Sequence, residues 1–363
     1  MEKLIFLKRS MLKIKGLWWK ALGAIIFLYV LIGGMTVPLN SGITYTNPSN
    51  AKTGQRIVME VTGYNTHFKS ASQNRAWLKA DSSHYIQATS VQQNDEMHVL
   101  LHFDLPITMP SKEKVQPLTL IIDNEIDGAF VQPNALFVTV SDSLQNDVSQ
   151  WQTLQLGSLN KKSGLTFPYR NILNETIRNT FFHVALWFAM FILLIIGLYH
   201  AIQYLRTGIY DHDIQSATIN KVAIMYGVFG LITGSIWAKF TWNTFWTTDV
   251  KLNMTAVAML IYLAYLVLRG ASTDTDRRAK LSASYSIFAF LALIPLVFVI
   301  PRLTDSLHPG NGGNPALGGE DLDNTLRLFF YPSIIALVLL GMWMSQLKIR
   351  YERLQEKIFQ NQK

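Results

Sequence analysis

Cysteine is absent from all 363 residues. That excludes a disulfide framework, thiolate metal sites and paired-thiol redox chemistry. Chemistry outside the cytoplasm must then run on histidine, carboxylate and aromatic side chains. Charge is scarce too: Asp, Glu, Lys and Arg make up 15% of the chain, against about a quarter in soluble domains. No nucleophile–base pair, no metal triad and no internal repeat is visible. Apolar residues fill the gap at 49%, gathered in six runs at about 19–37, 181–204, 221–238, 253–269, 283–301 and 328–347. Each run approaches or reaches the roughly 20 residues that cross a bilayer as a helix.

The net charge of +8 would suit a nucleic-acid partner, but its placement argues for topology instead. Lys3, Lys8, Arg9, Lys13, Lys15 and Lys20 precede the first run, and Arg206 and Lys221 flank the link between the second and third. Arg269, Arg277, Arg278 and Lys280 lie between the fourth and fifth runs, and Lys348, Arg350, Arg353 and Lys357 follow the sixth. If the runs alternate across a membrane, all these segments share one side, as the positive-inside rule expects of the cytoplasm. Both termini are then cytoplasmic, and no nucleic acid is implied. A cleaved leader would show a small-residue cleavage pattern after "LIGGMTVPL"; none is convincing, so the first run reads as an anchor.

Residues 38–170 differ in texture. Fragments such as "QRIVMEVTGY", "EMHVLLHFDL" and "NALFVTVS" mix alternation with β-branched runs, separated by turn-prone residues, as in a small β-sandwich. The expected fold is a mainly α membrane bundle of six transmembrane helices. An extracytoplasmic β-sandwich-like domain is inserted between helices one and two. The expected domains are a basic cytoplasmic N-terminus (1–18), a first helix (19–37), the β-rich insert (38–170), a five-helix membrane domain (171–347) and a cytoplasmic tail (348–363). His67, His84, His98 and His102 fall in the insert; His98 and His102 share a strand face, yet no third ligand completes a metal set. Gly230 and Gly234, four apart beside Tyr226, suit close helix packing. Pro295 is expected to bend the fifth span, since proline removes a backbone donor and clashes with the preceding turn.

Alternation of the spans brings three distant pieces to the outer surface. His183 opens the second span, "GSIWAKFTWNTFWTTD" joins the third to the fourth, and His308 follows the fifth inside a Gly/Pro-rich loop. An interfacial belt needs one or two indoles per helix end, whereas Trp237, Trp242 and Trp246 crowd a single bend. On a helix, Trp242, Trp246 and Asp249 would share one face. A flat apolar ligand with a charged edge fits such a ledge. Heme matches, with axial positions for imidazoles and propionates on one edge: His183 and His308 as iron ligands, Arg178 and Lys251 against the propionates. Each piece has a plainer reading: interfacial tryptophans, Asp249 as a helix cap, and His183 bonded within the bundle.

At these residues the chain resembles a known family. "WAKFTWNTFWTTD" is similar to the tryptophan-rich WWD signature, WGxxWGxxWxWD, of heme-handling proteins in cytochrome c maturation, here in a loop at 234–252. Residues of about 170–350 resemble the CcmC branch (heme exporter protein C), with six spans and one essential histidine in each flanking outer loop. His183 in "IRNTFFHVALW" and His308 in "DSLHPG" stand at the corresponding places, Arg178 matches a basic position, and Lys251 stands where an arginine is usual. Ala238 and Asn243 replace signature glycines, and Thr248 replaces its final tryptophan. The resemblance implies a multi-pass protein of the bacterial plasma membrane that binds heme b non-covalently and transiently at the periplasmic face. It also implies delivery to a CcmE-type heme chaperone beside CcmA/CcmB-type ABC transporter subunits, a role of ligand presentation with heme-ligase character at most. Two rivals remain at this level: a b-type heme electron carrier, and a transporter using the bundle as a path. The spans carry almost no ionisable group at mid-depth, with His200 near the inner end of the second, so the transporter is the less supported.

Overall fold

A computed structural model describes residues 16–111, 113–140, 151–152, 158–308 and 322–361. The basic residues Lys3 to Lys15 and most of the Gly/Pro-rich loop after His308 lie outside the described residues. Two compact units divide the chain, Val37–Glu175 and the remainder.

In the first unit, alternation in the sequence becomes two sheets. β1 (Gly42–Asn47), β3 (Arg56–Tyr64), β7 (His98–Asp104) and β6 (Ser90–Gln93) pair antiparallel in that order. The second sheet runs β2 (Asn50–Lys52), β9 (Gly128–Thr139), β8 (Val115–Asn124), β4 (Arg75–Lys79) and β5 (Tyr85–Gln87), with β2 parallel to β9. Inward residues of both sheets, among them Met59, Val61, Leu101, Phe103, Leu78, Leu120 and Leu136, form one apolar core, so the unit is a two-sheet sandwich. β3 shows the cause: every second side chain from Ile57 to Val61 is buried while its neighbours face out.

His98 and His102 do share the outer face of β7, but four strand positions separate them by about 13 Å, too far for one ion. His67, His84 and His98 each turn Nδ1 to an aspartate: Asp127 at 2.8 Å, Asp81 at 2.8 Å and Asp95 at 2.9 Å. Among the described residues no three His, Asp or Glu side chains form a metal set.

The second unit contains six helices long and apolar enough to cross a membrane: α1 (Trp18–Thr36), α2 (His183–Thr207), α3 (Tyr210–Trp242), α4 (Val250–Gly270), α5 (Thr275–Ile294) and α6 (Asn324–Asn361). A 3-10 segment, Asn174–Phe181, leads into α2. α2 is central, packing against α3, α5 and α6, while α1 lies on α6. Ala185, Ala189, Met190, Leu193, Ala223, Tyr226, Met259 and Tyr262 form the heart of its core. The glycine pair on α3 works as its spacing suggests. A Cβ on Gly230 would stand 2.7 Å from the Trp187 ring, and one on Gly234 would stand 2.6 Å from Cε1 of His183, so the glycines make room for those two rings.

Two helix ends differ from the spans expected. α3 begins at Tyr210, eleven positions before the expected 221, because its polar first turns find partners. Arg269 of α4 meets buried Asp213 with two bonds of 2.8 and 2.7 Å, and Arg353 of α6 meets Asp211. In the fifth span Pro295 does more than bend the helix. α5 stops at Ile294, and residues Pro295–Val299 form a widened π turn in which the Ile300 N–H reaches back to the Pro295 carbonyl. The 3-10 turn Ile300–Arg302 follows and packs on α4.

Candidate functional site

α3 ends at Trp242 because Asn243 takes a left-handed conformation, φ +59°. Glycine and asparagine are the residues that reach that region at least cost. Asn243 therefore supplies here a left-handed turn that a glycine would also allow. Lys239 Nζ donates to the Asn243 carbonyl at 3.0 Å, closing the helix end, and Ser235 Oγ donates to the Phe245 carbonyl at 2.8 Å, folding the loop back. At the other signature glycine, Ala238 is buried at 1% exposure, which leaves little space for a larger side chain.

This early stop corrects the helical face expected for Trp242, Trp246 and Asp249, since residues 243–249 are not helical. Trp237 and Trp242 meet edge to face, with centroids 4.9 Å apart. Trp246 turns away, exposed, and donates from Nε1 to Asn253 Oδ1 at 3.1 Å. The ledge is therefore a pair of indoles, Trp237 and Trp242.

Asp249 joins the pieces. Its side chain is 1% exposed. As the N-cap of α4 it accepts from the N–H groups of Lys251 and Leu252, which is the plain capping role expected. The same carboxylate also accepts from Ser306 Oγ at 2.8 Å, the Leu307 N–H at 2.7 Å and His308 Nδ1 at 3.0 Å. His308 is thereby held against the indoles, with ring centroids 4.9 Å from Trp242 and 5.8 Å from Trp237. Burial alone would raise the Asp249 carboxyl, but the bonds from Leu307, Ser306 and His308 hold it below the usual carboxylate value. Burial pushes the His308 imidazole down; Asp249 opposes this and Lys251 adds to it. The net direction is downward, which favours the neutral form that a metal ligand requires.

His183 is oriented differently. Its Nδ1 lies 3.0 Å from the Gly230 carbonyl and 3.1 Å from Thr233 Oγ1, both on α3, and its ring meets Trp187 edge-on. His183 and His308 stand within electrostatic reach of one another. Both spend Nδ1 on an acceptor, and Nε2 of neither bonds to any described residue. That donor set fits a metal taken at Nε2, in the arrangement by which outer partners fix a ligating imidazole. Lys251 lies within electrostatic reach of His308 and of Arg302, so positive charge borders the site. Arg178 instead donates to the Gly34 carbonyl at 2.8 Å, at the end of α1.

Several of these partners escaped sequence reasoning: Gly230, Thr233, Ser306, Asn253 and Arg302. Their roles depend on contacts between distant segments. The glycine spacing on α3 was the one local signal, and it pointed to packing without showing that a histidine fills the groove.

Six membrane-length helices define a multi-pass membrane protein, in which His308 stands against the paired indoles Trp237 and Trp242 and His183 packs against Trp187. Comparison makes the class particular. The family described as heme exporter protein C, CcmC, matches residues 131–363, and the chain belongs to that family. Heme exporter protein C of Bradyrhizobium diazoefficiens is 25% identical over 191 residues, 50% of this chain and 69% of that protein. A putative cytochrome c biosynthesis ccmC-like mitochondrial protein of Marchantia polymorpha is 28% identical over 135 residues, 37% of this chain and 56% of its own length. The cytochrome c biogenesis protein CcsA of Prochlorococcus marinus is 34% identical over 86 residues, 23% of this chain and 27% of that protein.

Proposed function

We propose that this protein binds heme at the outer face of the bacterial plasma membrane and presents it to a periplasmic heme chaperone of the CcmE type. CcmA/CcmB-type transporter subunits assist, during cytochrome c maturation. The observation that carries this reading is the pair of imidazoles, each anchored through Nδ1 with no described residue bonded at Nε2, one of them, His308, set against Trp237 and Trp242. His183 and His308 would hold the iron through their imidazoles. Trp237 and Trp242 give the macrocycle an apolar shelf, and Asp249 orients His308. Lys251 and Arg178 would supply positive charge to the propionates, Arg178 having one N–H on the Gly34 carbonyl. Two neutral imidazoles hold the cargo without a covalent link, so it stays exchangeable. The clustering of Arg206, Arg269, Arg277, Arg278 and Lys348 at the opposite helix ends supports the outer location, which puts residues 38–170 outside as well.

Heme content and Soret spectrum of the purified protein test the reading. Wild type should carry heme with a bis-imidazole spectrum. His183→Ala and His308→Ala should each lose that spectrum while the protein still inserts in the membrane. A double variant with an unchanged Soret band would refute the assignment.

A further inference from the structure

The two imidazoles are backed by unlike acceptors. A buried carboxylate backs His308, and that carboxylate also fastens Ser306 and Leu307, so the segment carrying the ring is pinned on two further atoms. His183 is backed by neutral groups. The Gly230 carbonyl that accepts from it also lies 3.1 Å from Thr233 Oγ1, whose single hydroxyl hydrogen it shares with the nearer Phe229 carbonyl at 2.8 Å. Hydrogen bonds to an ionised acceptor are roughly twice as strong as neutral ones, and a carboxylate behind a ligating imidazole raises its basicity. Packing points the same way: two indoles flank His308, whereas among the described residues Trp187 is the one ring that meets His183, at 6.2 Å.

From this difference we infer that the site is asymmetric by construction: His308 is the retained heme ligand and His183 the one that yields to an incoming donor. The inference rests on the heme-binding function proposed above. One consideration runs against it, since His183 sits on a helix and His308 follows a turn, and a helix ordinarily holds a ligand better. The Asp249 carboxylate removes that difference, because it ties the 306–308 segment to the first turn of α4. In the exchange His183 surrenders one dative bond and an imidazole or similar nitrogen donor of the acceptor forms another. No electron moves, and both Nδ1 protons stay where they are. Asp249 is thus a positioning residue, acting through His308.

The experiment uses the full-length protein loaded with heme, in detergent. The rate of heme loss to excess apomyoglobin is followed for His183→Ala and His308→Ala, each with and without Asp249→Asn. Asparagine still caps a helix, so α4 keeps its start, and gel filtration checks that each variant remains folded. His183→Ala should retain heme through His308 and regain a bis-imidazole spectrum on titration with free imidazole. His308→Ala should lose heme faster. Asp249→Asn should speed loss about 10- to 100-fold, the usual effect of removing an outer-shell partner, in the His183→Ala background and leave the His308→Ala rate nearly unchanged. Equal effects in both backgrounds, or longer retention by His308→Ala, would overturn the asymmetry while leaving heme binding intact. A wild type that takes up no heme would overturn the proposed function and this inference together.

Discussion

Gly234 holds its place through what it lacks. A methyl group there would stand 2.6 Å from Cε1 of His183, too close for any real contact, so alanine must displace the imidazole from the Gly230 carbonyl. Gly230 supplies the control, because a methyl on it meets Trp187 instead. Gly234→Ala should lower retained heme on the order of tenfold, the low end for disturbing what orients a ligand, with Gly230→Ala milder. Absorbance of the purified variants decides it, and equal losses would mean that packing alone is at stake. At this scale the sequence showed the rings but not their orientation. His183, His308, Trp237, Trp242 and Asp249 were all visible as candidates. The bond from His308 to Asp249 spans 59 positions, and no local pattern encodes such a pairing. The separation of Trp246 was hidden for a different reason: it follows from the left-handed backbone of Asn243, a state that asparagine permits without requiring.

Among the elements, the strands were the most legible, because a half-buried strand writes its register as alternation, as Ile57, Met59 and Val61 do on β3. The turns between them carry the pH response. Burial opposes ionisation of Asp127, yet the Asn124 amide, His67 and Ser41 together hold its carboxyl below the usual value. The Met97 N–H and then His98 lower Asp95. In Asp81, burial is outweighed by the Ser83 N–H and His84. Each carboxyl binds its proton less readily folded than unfolded. The stabilisation they give is therefore full above the unfolded value of about 3.9 and lost as pH falls through the lower folded values. Protection from hydrogen exchange over residues 37–175 of the intact protein, taken relative to the intrinsic rate at each pH, should fall below about pH 4. Asp127→Asn should weaken that dependence, and an unaltered pH profile would count against this account. Helix ends were less legible than strands, since hydropathy sees the apolar middle of α3 but not the ion pairs that let Asp211 and Asp213 join it.

For the whole membrane unit, the buried Asp213–Arg269 pair is a costly feature to break on one side. The two side chains are 2% and 13% exposed and share two short bonds. Removing one partner of a buried pair typically costs about 3–5 kcal/mol, because the other charge is left uncompensated, whereas replacing both with apolar residues is often nearly neutral. Arg269→Leu should therefore lower resistance to denaturation in mixed detergent sharply, and adding Asp213→Leu should restore most of it. A double variant as weak as the single one would show that the charges do more than pair. The widened turn at Pro295 has a reach of its own. By spacing the Ile300 N–H five residues from its acceptor, it changes the bearing on which the chain leaves the fifth helix, so the compass direction of everything from Arg302 to His308 is written into one imino acid.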